Sequence, residues 1–497
     1  MFNNPKLLAA LALTGAIAVW GIADTQGLAE FANNLVTIQF TSRAWFIMLT
    51  VSFMLFVCLG LALSKYGRVK LGEDTDEPEF STVSWLTMLF AAGMGVGLLY
   101  WGTAEPLTHY SLIAEYEDPR KAASTALFVT NFHWGLHAWA IYGLTGLVIA
   151  YFGFRRGCPS LVGSPIVHAL GQNKITSAVA WVCDLLAIAA IAIGVGGSIA
   201  MGVFQVKEGV DALFGLSGTG LGLTLAIFVV LCLAYALPLV VDLSKGMAVL
   251  SNTAMGVAGG LLVFVLLAGP THFLMGGVLQ SIADYASNVL QQGFRTYTFM
   301  DENIGGWFQA WTLTYMVWWL AWAPFVGVFI ARISRGRTIR EFIVGVIFVP
   351  TGFSILWFGV FGGIGFYGVL NTDAPVMELV RDNVSAVAFV LLQHLPFSTL
   401  TIFAVVAAAF LFIVTSVVSA AFVLGMFSTG GDLNPSARVK LSWGVVLGAL
   451  GLVMILSGSI DAVKSIIALG ALPFVFIVML LVVCFLKVLK HEEIPAQ

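Results

Sequence analysis

The stretch "FAAGMGVGLLYWGTAEP", residues 90–106, is an apolar segment of membrane-spanning length with glycine at positions 93, 95 and 97. Glycine is costly inside a helix, because it gives up backbone freedom and contributes no side-chain packing. Two interpretations remain open. Gly93 and Gly97 form a GxxxG pair that would allow close helix packing, or the helix is unwound here and its freed backbone groups bind a ligand at mid-membrane. Three glycines at alternate positions, followed by Glu105-Pro106, favour the unwound helix.

The composition of the whole chain is that of a membrane protein. Of its 497 residues 59% are hydrophobic and 10% charged, and the mean hydropathy is +0.96, whereas about a quarter of the residues in a soluble domain are charged. The chain is therefore predicted to be an integral membrane protein. A net charge of −3 leaves no basic face for nucleic acid. The five cysteines form no CxxC pair, so buried thiols explain them better than disulfides or metal ligands.

A helix needs about 20 apolar residues to cross the hydrocarbon core, and this length predicts twelve spans. They are 7–23, 44–64, 82–104, 124–152, 177–205, 221–241, 247–268, 306–331, 342–370, 399–427, 440–458 and 466–486. The stretches 272–292 and 375–395 are predicted to be surface helices. With the N-terminus inside, 16 of the 23 lysines and arginines fall on the cytoplasmic side, so the positive-inside rule places both termini in the cytoplasm. The run "ARISRGRTIREF", residues 331–342, is then most simply a cytoplasmic anchor.

Two spans carry aromatic clusters near their middle. "TYMVWWLAWAPF", residues 314–325, has tryptophan at 318, 319 and 322, and "NFHWGLHAWAIY", residues 131–142, has Trp134, Trp139 and Tyr142. An interfacial belt would place tryptophans at the ends of a span, so a packed core or a ligand site remains. Aromatic faces in a dry cavity attract a quaternary ammonium, which cannot donate hydrogen bonds, by about 2 kcal/mol or more.

The ionisable residues inside the predicted spans are few. They are Asp184, His133 and His137, too few for an intramembrane enzyme. His133 and His137 stand four residues apart as in a zinc-binding helix, but Trp134 occupies the place of the glutamate and no third ligand is apparent. An ion channel would want a polar pore rather than bulky aromatics, and no nucleotide-binding loop is present. The leading interpretation is a secondary transporter.

Four segments, "GMGVGLLYWGTAEP", "NFHWGLHAWAIY", "LSNTAM" and "WWLAWAPFVGVFIARISRGRTIREF", resemble the betaine/carnitine/choline transporter family, and the resemblance runs over nearly the whole chain. It implies an all-α integral membrane fold in one transporter domain, residues 1–497. Two peripheral helices (1–64) would precede a LeuT-like five-plus-five inverted repeat, with halves at 82–268 and 306–486. It also implies a homotrimer in the bacterial inner membrane and no enzymatic activity.

The resemblance further implies a substrate site for a quaternary-ammonium zwitterion such as glycine betaine. Carried over by motif, an aromatic box would enclose the ammonium, further rings would line the path and gates, and the backbone of the glycine motif would meet the carboxylate. The box is Trp134, Trp139, Tyr142 and Trp319; the path is Trp318, Trp322 and Phe325; the backbone is that of Gly93, Met94 and Gly95.

Sodium is the coupling ion that the resemblance favours. Its ligands would be the hydroxyls of Thr415 and Ser416 and the backbone of Ala91, Met94 and Phe412, with ordinary helix back-bonding as the alternative for the two hydroxyls. Proton-coupled relatives carry aspartate where this chain has glycine 97. Cation-independent exchangers carry a basic residue near position 255, where this chain has methionine and where 247–268 contains no lysine or arginine.

Two departures from the sodium-coupled pattern keep other mechanisms open. Val417 and Val418 stand where an acidic residue is common, and the fifth span offers only the hydroxyl of Ser198 where threonines are usual. A second sodium site is therefore not expected. Substrate exchange and proton coupling, with carnitine, choline or a sulfonium analogue as substrate, are the alternatives. No cofactor other than sodium is expected.

Overall fold

The computed structural model describes residues 4–93, 95–216, 219–241, 244–372 and 375–492. Within these ranges the regular structure is helical, apart from one isolated antiparallel bridge between Lys70 and Thr338. The α-helices are α1 Pro5–Ala23, α2 Thr25–Leu63, α3 Thr82–Gly93, α4 Val96–Ile113, α5 Pro119–His133, α6 Leu136–Ala150, α7 Ser164–Leu170, α8 Lys174–Phe214, α9 Gly220–Val240, α10 Ser244–Ala268, α11 Thr271–Gln292, α12 Glu302–Phe308, α13 Thr314–Arg332, α14 Ile339–Ile343, α15 Val349–Asn371, α16 Val376–Asp382, α17 Val387–Gln393, α18 Ser398–Ser428, α19 Ala437–Leu456 and α20 Ile460–Leu489. Three π-helical segments, Tyr151–Arg155, Gln309–Leu313 and Val344–Phe348, extend α6, join α12 to α13 and join α14 to α15.

Eleven helical segments in the described ranges are long and apolar enough to cross a membrane, which confirms an all-α integral membrane fold. The predicted third span is not among them. The chain divides it into α3, of 12 residues, and α4, of 18 residues, and α4 buries the polar side chains of Thr103, Glu105 and His109. Together α3 and α4 cover this third predicted span, and the other eleven predicted spans correspond to the eleven segments.

Two of the helices run well beyond the spans predicted from hydropathy. Helix α2 has 39 residues and α8 has 41, against the predicted 44–64 and 177–205. The apolar length of a segment predicts only the part of the helix that lies in the hydrocarbon core. The helix itself continues beyond that part as long as successive residues keep their i to i−4 hydrogen bonds. The far end of α8 is polar, and Lys207 there bonds Asp211 one turn later at 2.5 Å.

The two N-terminal helices, α1 and α2, pack against helices from later in the chain. Helix α1 lies on α19, and α2 lies on α20 and α6, while α8 packs against α18, α19, α20 and α13 and so occupies the centre. The stretch 272–292 forms α11, which lies against α5 and α15, and 375–395 forms α16 and α17. The inverted-repeat division of the chain stays a prediction, as does the location of these two stretches at the membrane surface.

The arginine run after α13 is more than a set of solvated charges. Arg337 is buried, lies 4.1 Å from the ring centroid of Trp85 and donates to the Phe80 carbonyl at 2.8 Å. Arg335 bonds Asp76 at 3.1 Å, and this hydrogen bond holds the pKa of Asp76 below its ordinary value. The run therefore ties the segment after α13 to the loop that leads into the divided third span.

Candidate functional site

The glycine motif interrupts a helix in the middle of the third span. Helix α3 ends at Gly93 and α4 begins at Val96, with Gly95 at φ −110° and ψ −146°; Met94 lies outside the described residues. Among the side chains that the structure describes, a Cβ on Gly95 would meet only the Ser416 hydroxyl, at 3.8 Å, whereas a Cβ on Gly97 would lie 3.2 Å from the Trp134 ring. The glycine motif thus both breaks the helix, at Gly95, and allows a close approach, at Gly97.

The span predicted at 124–152 is present, within Pro119–Arg155, but it consists of two helices. Helix α5 ends at His133, α6 begins at Leu136, and Gly135 has φ −105° and ψ −148°, close to the angles of the glycine at position 95. The Leu136 amide, which begins α6, donates to the Tyr285 hydroxyl of α11 at 2.7 Å. A Cβ on Gly135 would lie 2.0 Å from that hydroxyl and 2.5 Å from the Asn131 carbonyl oxygen, so the break requires glycine. A single glycine in an apolar segment carries no sequence signal for it.

The four rings of the expected aromatic box come together around Trp319. The ring centroids of Trp134, Trp139 and Tyr142 lie 5.6, 5.7 and 4.5 Å from that of Trp319, with interplanar angles between 56° and 83°. The break at Gly135 explains how Trp134 joins rings from α6, since it frees Trp134 from the helical register that sets the other two. Edge-to-face packing of this kind is the geometry that aromatic quadrupoles prefer.

Three of these rings, Trp134, Tyr142 and Trp319, form one side of a cavity with an empty volume of about 770 Å³ including its opening. The remaining wall comes from the broken third span, α8, α13 and α18. The lining residues are Gly95, Val96, Gly97, Trp101, Trp134, Tyr142, Val195, Ser198, Ile199, Met201, Tyr315, Trp318, Trp319, Trp322, Ile413, Ser416 and Val417. Trp139 is fully buried behind Trp319 and Tyr142, and Phe325 packs on Trp322 at 5.5 Å.

The two hydroxyls predicted to bind sodium, those of Thr415 and Ser416, have different hydrogen-bond partners and different positions relative to the cavity. The Thr415 hydroxyl donates to the carbonyls of Leu411 and Phe412, at 3.0 and 3.1 Å, which is the back-bonding that the alternative interpretation anticipates. Its oxygen lone pairs remain available to a cation. Ser416 lines the cavity and faces the helix break at Gly95. Of the two backbone ligands predicted from the third span, Ala91 lies two residues before the end of α3, and Met94 lies outside the described residues.

The sequence shows no third ligand for the pair His133 and His137, whereas the structure places two potential ligands beside His133. His133 Nδ1 lies 2.7 Å from Glu105 Oε1, and His109 Nε2 lies 3.3 Å from the same oxygen; donor atoms of the three residues lie within 4.8 Å of one another. His137 does not join them. It is buried beside Phe132, with ring centroids 4.8 Å apart.

Glu105 is a buried acidic residue that is absent from the ionisable residues predicted to lie inside the spans. It falls just beyond residue 104, where the predicted third span ends, yet α4 continues to Ile113 and the Glu105 side chain is fully buried. A glutamate followed by a proline marks the end of an apolar segment in the sequence, so the hydropathy pattern carries no signal for the burial of Glu105. The structure places its carboxylate against the aromatic wall of the cavity, since Trp134 and Tyr315 both donate to it.

Comparison with known proteins agrees with this architecture. Residues 6–494 match the family model described as BCCT, betaine/carnitine/choline family transporter. The chain is 38% identical to the glycine betaine transporter OpuD of Bacillus subtilis, over 97% of this chain and 94% of that protein. It is 34% identical to a probable glycine betaine transporter of Desulfitobacterium hafniense, over 99% and 98%. It is 33% identical to an ectoine/hydroxyectoine transporter of Virgibacillus pantothenticus, over 100% and 98%. The match spans the whole membrane domain, and the chain belongs to the betaine/carnitine/choline transporter family.

Proposed function

We propose that this protein takes up a zwitterionic compatible solute of the glycine betaine type in symport with sodium. The observation that carries the proposal is the convergence of Trp134, Tyr142 and Trp319 on one cavity beside the break at Gly95. A trimethylammonium group cannot donate hydrogen bonds, and π-faces attract it strongly once it is desolvated. The carboxylate at the other end of the same molecule needs hydrogen-bond donors, and unwound backbone is a source of them at mid-membrane.

Sodium coupling is supported by the arrangement of α18 against the broken third span. The Ser416 hydroxyl faces Gly95, and Thr415 and the Phe412 carbonyl lie on the same helix. Oxygen ligands from hydroxyls and unwound backbone suit sodium. Such a site has no full negative charge, so it would bind sodium weakly until substrate closes it. Linkage then requires each ligand to raise the affinity of the other by the same factor.

The decisive experiment is uptake into proteoliposomes made with the purified full-length protein. The panel is radiolabelled glycine betaine, ectoine, carnitine, choline and a sulfonium analogue, each with an inward sodium gradient and with potassium in its place. Saturable, sodium-driven uptake of a zwitterion is the expected result. Uptake that needs only preloaded substrate would point to exchange, uptake driven by a proton gradient would point to proton coupling, and non-saturable flux would point to a channel.

We further propose a homotrimer in the bacterial inner membrane with both termini in the cytoplasm. The charge asymmetry of the loops supports the orientation, and the bacterial origin of the relatives supports the compartment. Labelling of single cysteines placed at each terminus, from either side of intact cells, tests the orientation. Mass measurement of the detergent-purified protein tests the trimer.

A further inference from the structure

A network of hydrogen bonds around Glu105 lies behind the cavity and connects the carboxylate to two of the rings that line it. The Glu105 side chain is fully buried in α4. An ionised carboxylate in such a place is very costly unless hydrogen bonds replace its water. The hydrogen bonds that the surrounding residues make to Glu105 therefore determine whether its ionised carboxylate can be buried there.

Four donors meet this carboxylate, two on each oxygen. Oε1 receives His133 Nδ1 at 2.7 Å and His109 Nε2 at 3.3 Å, and Oε2 receives Trp134 Nε1 at 2.8 Å and the Tyr315 hydroxyl at 2.5 Å. A carboxylate has about four acceptor positions, so all of them are used. The donors come from α4, α5, α13 and the break between α5 and α6.

The roles of the histidine nitrogens follow from their second partners. Trp307 Nε1, which can only donate, lies 3.0 Å from His109 Nδ1, so that nitrogen is the acceptor and His109 Nε2 carries the hydrogen toward Glu105. His133 Nε2 lies 2.9 Å from the Thr312 hydroxyl, which can donate to it and leave Nδ1 as the donor to Glu105. With these assignments all four groups that face the carboxylate donate hydrogen bonds to it, and none competes with it as an acceptor.

Two of these donors are walls of the substrate cavity. Trp134 and Tyr315 line it, and the Trp134 ring stands nearly perpendicular to that of Trp319, at 83°. Trp134 caps the C-terminus of α5, where its N–H bonds the Thr130 carbonyl at 3.2 Å, and the helix does not continue past it. The bond to Glu105 holds the edge of the indole, whose ring also packs on those of Trp319 and Phe358, and so helps to set the direction that its π-face presents.

We propose that Glu105 is a positioning residue for substrate binding: its carboxylate orients Trp134 and Tyr315 so that their rings complete the cavity. The inference rests on the proposed function, since it concerns the affinity of that same site. The geometry of the carboxylate matters, and its charge alone does not suffice. Aspartate keeps the charge but is one methylene shorter and cannot reach all four donors. Glutamine keeps the length but presents an amide N–H₂ to at least one pair of donors.

The test compares binding of radiolabelled glycine betaine to the purified protein in saturating sodium for the wild type, Glu105→Asp and Glu105→Gln. Both variants should weaken binding about tenfold or more, because a misdirected ring loses its cation–π contact. Each is then combined with Trp134→Phe, which keeps a π-face and removes the N–H donor. In the Trp134→Phe background, changing Glu105 should cost less than half of its effect in the wild type, because the two side chains act through one bond.

Two results would overturn the proposal. If Glu105→Asp binds like the wild type, a nearby negative charge is sufficient and positioning is not needed. If the effects at Glu105 and Trp134 are fully additive, the carboxylate does not act through the indole. Should the Glu105 variants fail to assemble, Tyr315→Phe and Trp134→Phe each remove one donor and leave the carboxylate in place. Both should then weaken binding, and unchanged affinity in both would equally refute the positioning role.

Failure of the proposed function can be told apart from failure of this inference. If the wild type binds no betaine-type solute, the proposed function is wrong, and the orientation of Trp134 is measured without substrate. Near-ultraviolet circular dichroism of the wild type minus that of Trp134→Phe isolates the signal of an immobilised indole beside Trp319. The corresponding difference between Glu105→Asp and the double variant Glu105→Asp with Trp134→Phe should be much smaller. A difference signal unchanged by Glu105→Asp would refute the positioning role.

Discussion

Replacing Trp319 with leucine should weaken binding of the substrate by about ten- to a hundredfold, which is roughly 1–3 kcal/mol. Trp319 is the ring that the other three share, with Tyr142 only 4.5 Å away between centroids, and it is 5% exposed. Leucine fills part of the space but has no π-face, so the desolvated cation–π contact is lost. Phenylalanine at the same position keeps a smaller π-face and should lose less affinity.

The assay is equilibrium binding of radiolabelled glycine betaine to purified protein, with thermal unfolding measured in parallel. The parallel measurement is needed because shrinking a buried tryptophan also leaves a cavity, which costs several kcal/mol of stability on its own. Trp20→Leu is the matched control, since Trp20 is 39% exposed on α1 and packs on Phe31 at 5.2 Å. Equal loss of affinity in both variants, or no loss in Trp319→Leu, would show that these tryptophans only pack.

Three further predictions follow from the two helix breaks and from α18. Gly95→Leu should abolish uptake while the protein still inserts and purifies, whereas Gly95→Ala should be tolerated, because a Cβ there meets only a hydroxyl at 3.8 Å; normal uptake by the leucine variant would contradict this. Gly135→Ala should lower the melting temperature and uptake through its 2.5 Å clash with a backbone carbonyl, while Gly256→Ala, with open space around it, should do neither. Thr415→Ala with Ser416→Ala should make betaine affinity equal in sodium and potassium buffers without removing betaine binding; a wild type already equal in the two buffers would sink the sodium proposal.

Composition and hydropathy were enough to predict the all-α membrane fold, because a segment that crosses hydrocarbon must be long and apolar wherever it sits in the chain. The break at Gly95 was predictable for a related reason. Three alternating glycines carry more conformational cost than a GxxxG packing pair requires, and this favours an irregular backbone. The position of Trp318, Trp319 and Trp322 in the sequence was enough to make them candidate site residues. They lie near the middle of a span, away from the membrane–water interfaces where tryptophans are usual.

What only the tertiary structure decided depends on partners distant in sequence. Gly135 breaks its helix because Tyr285, 150 residues further along the chain, stands where a Cβ would be and takes the first amide of α6. Glu105 is buried because donors from three other segments satisfy its charge, and in the sequence it resembles any glutamate at the end of a span. Hydropathy measures the cost of burying one residue alone, whereas a buried charge is paid for by hydrogen bonds that exist only after the helices have packed.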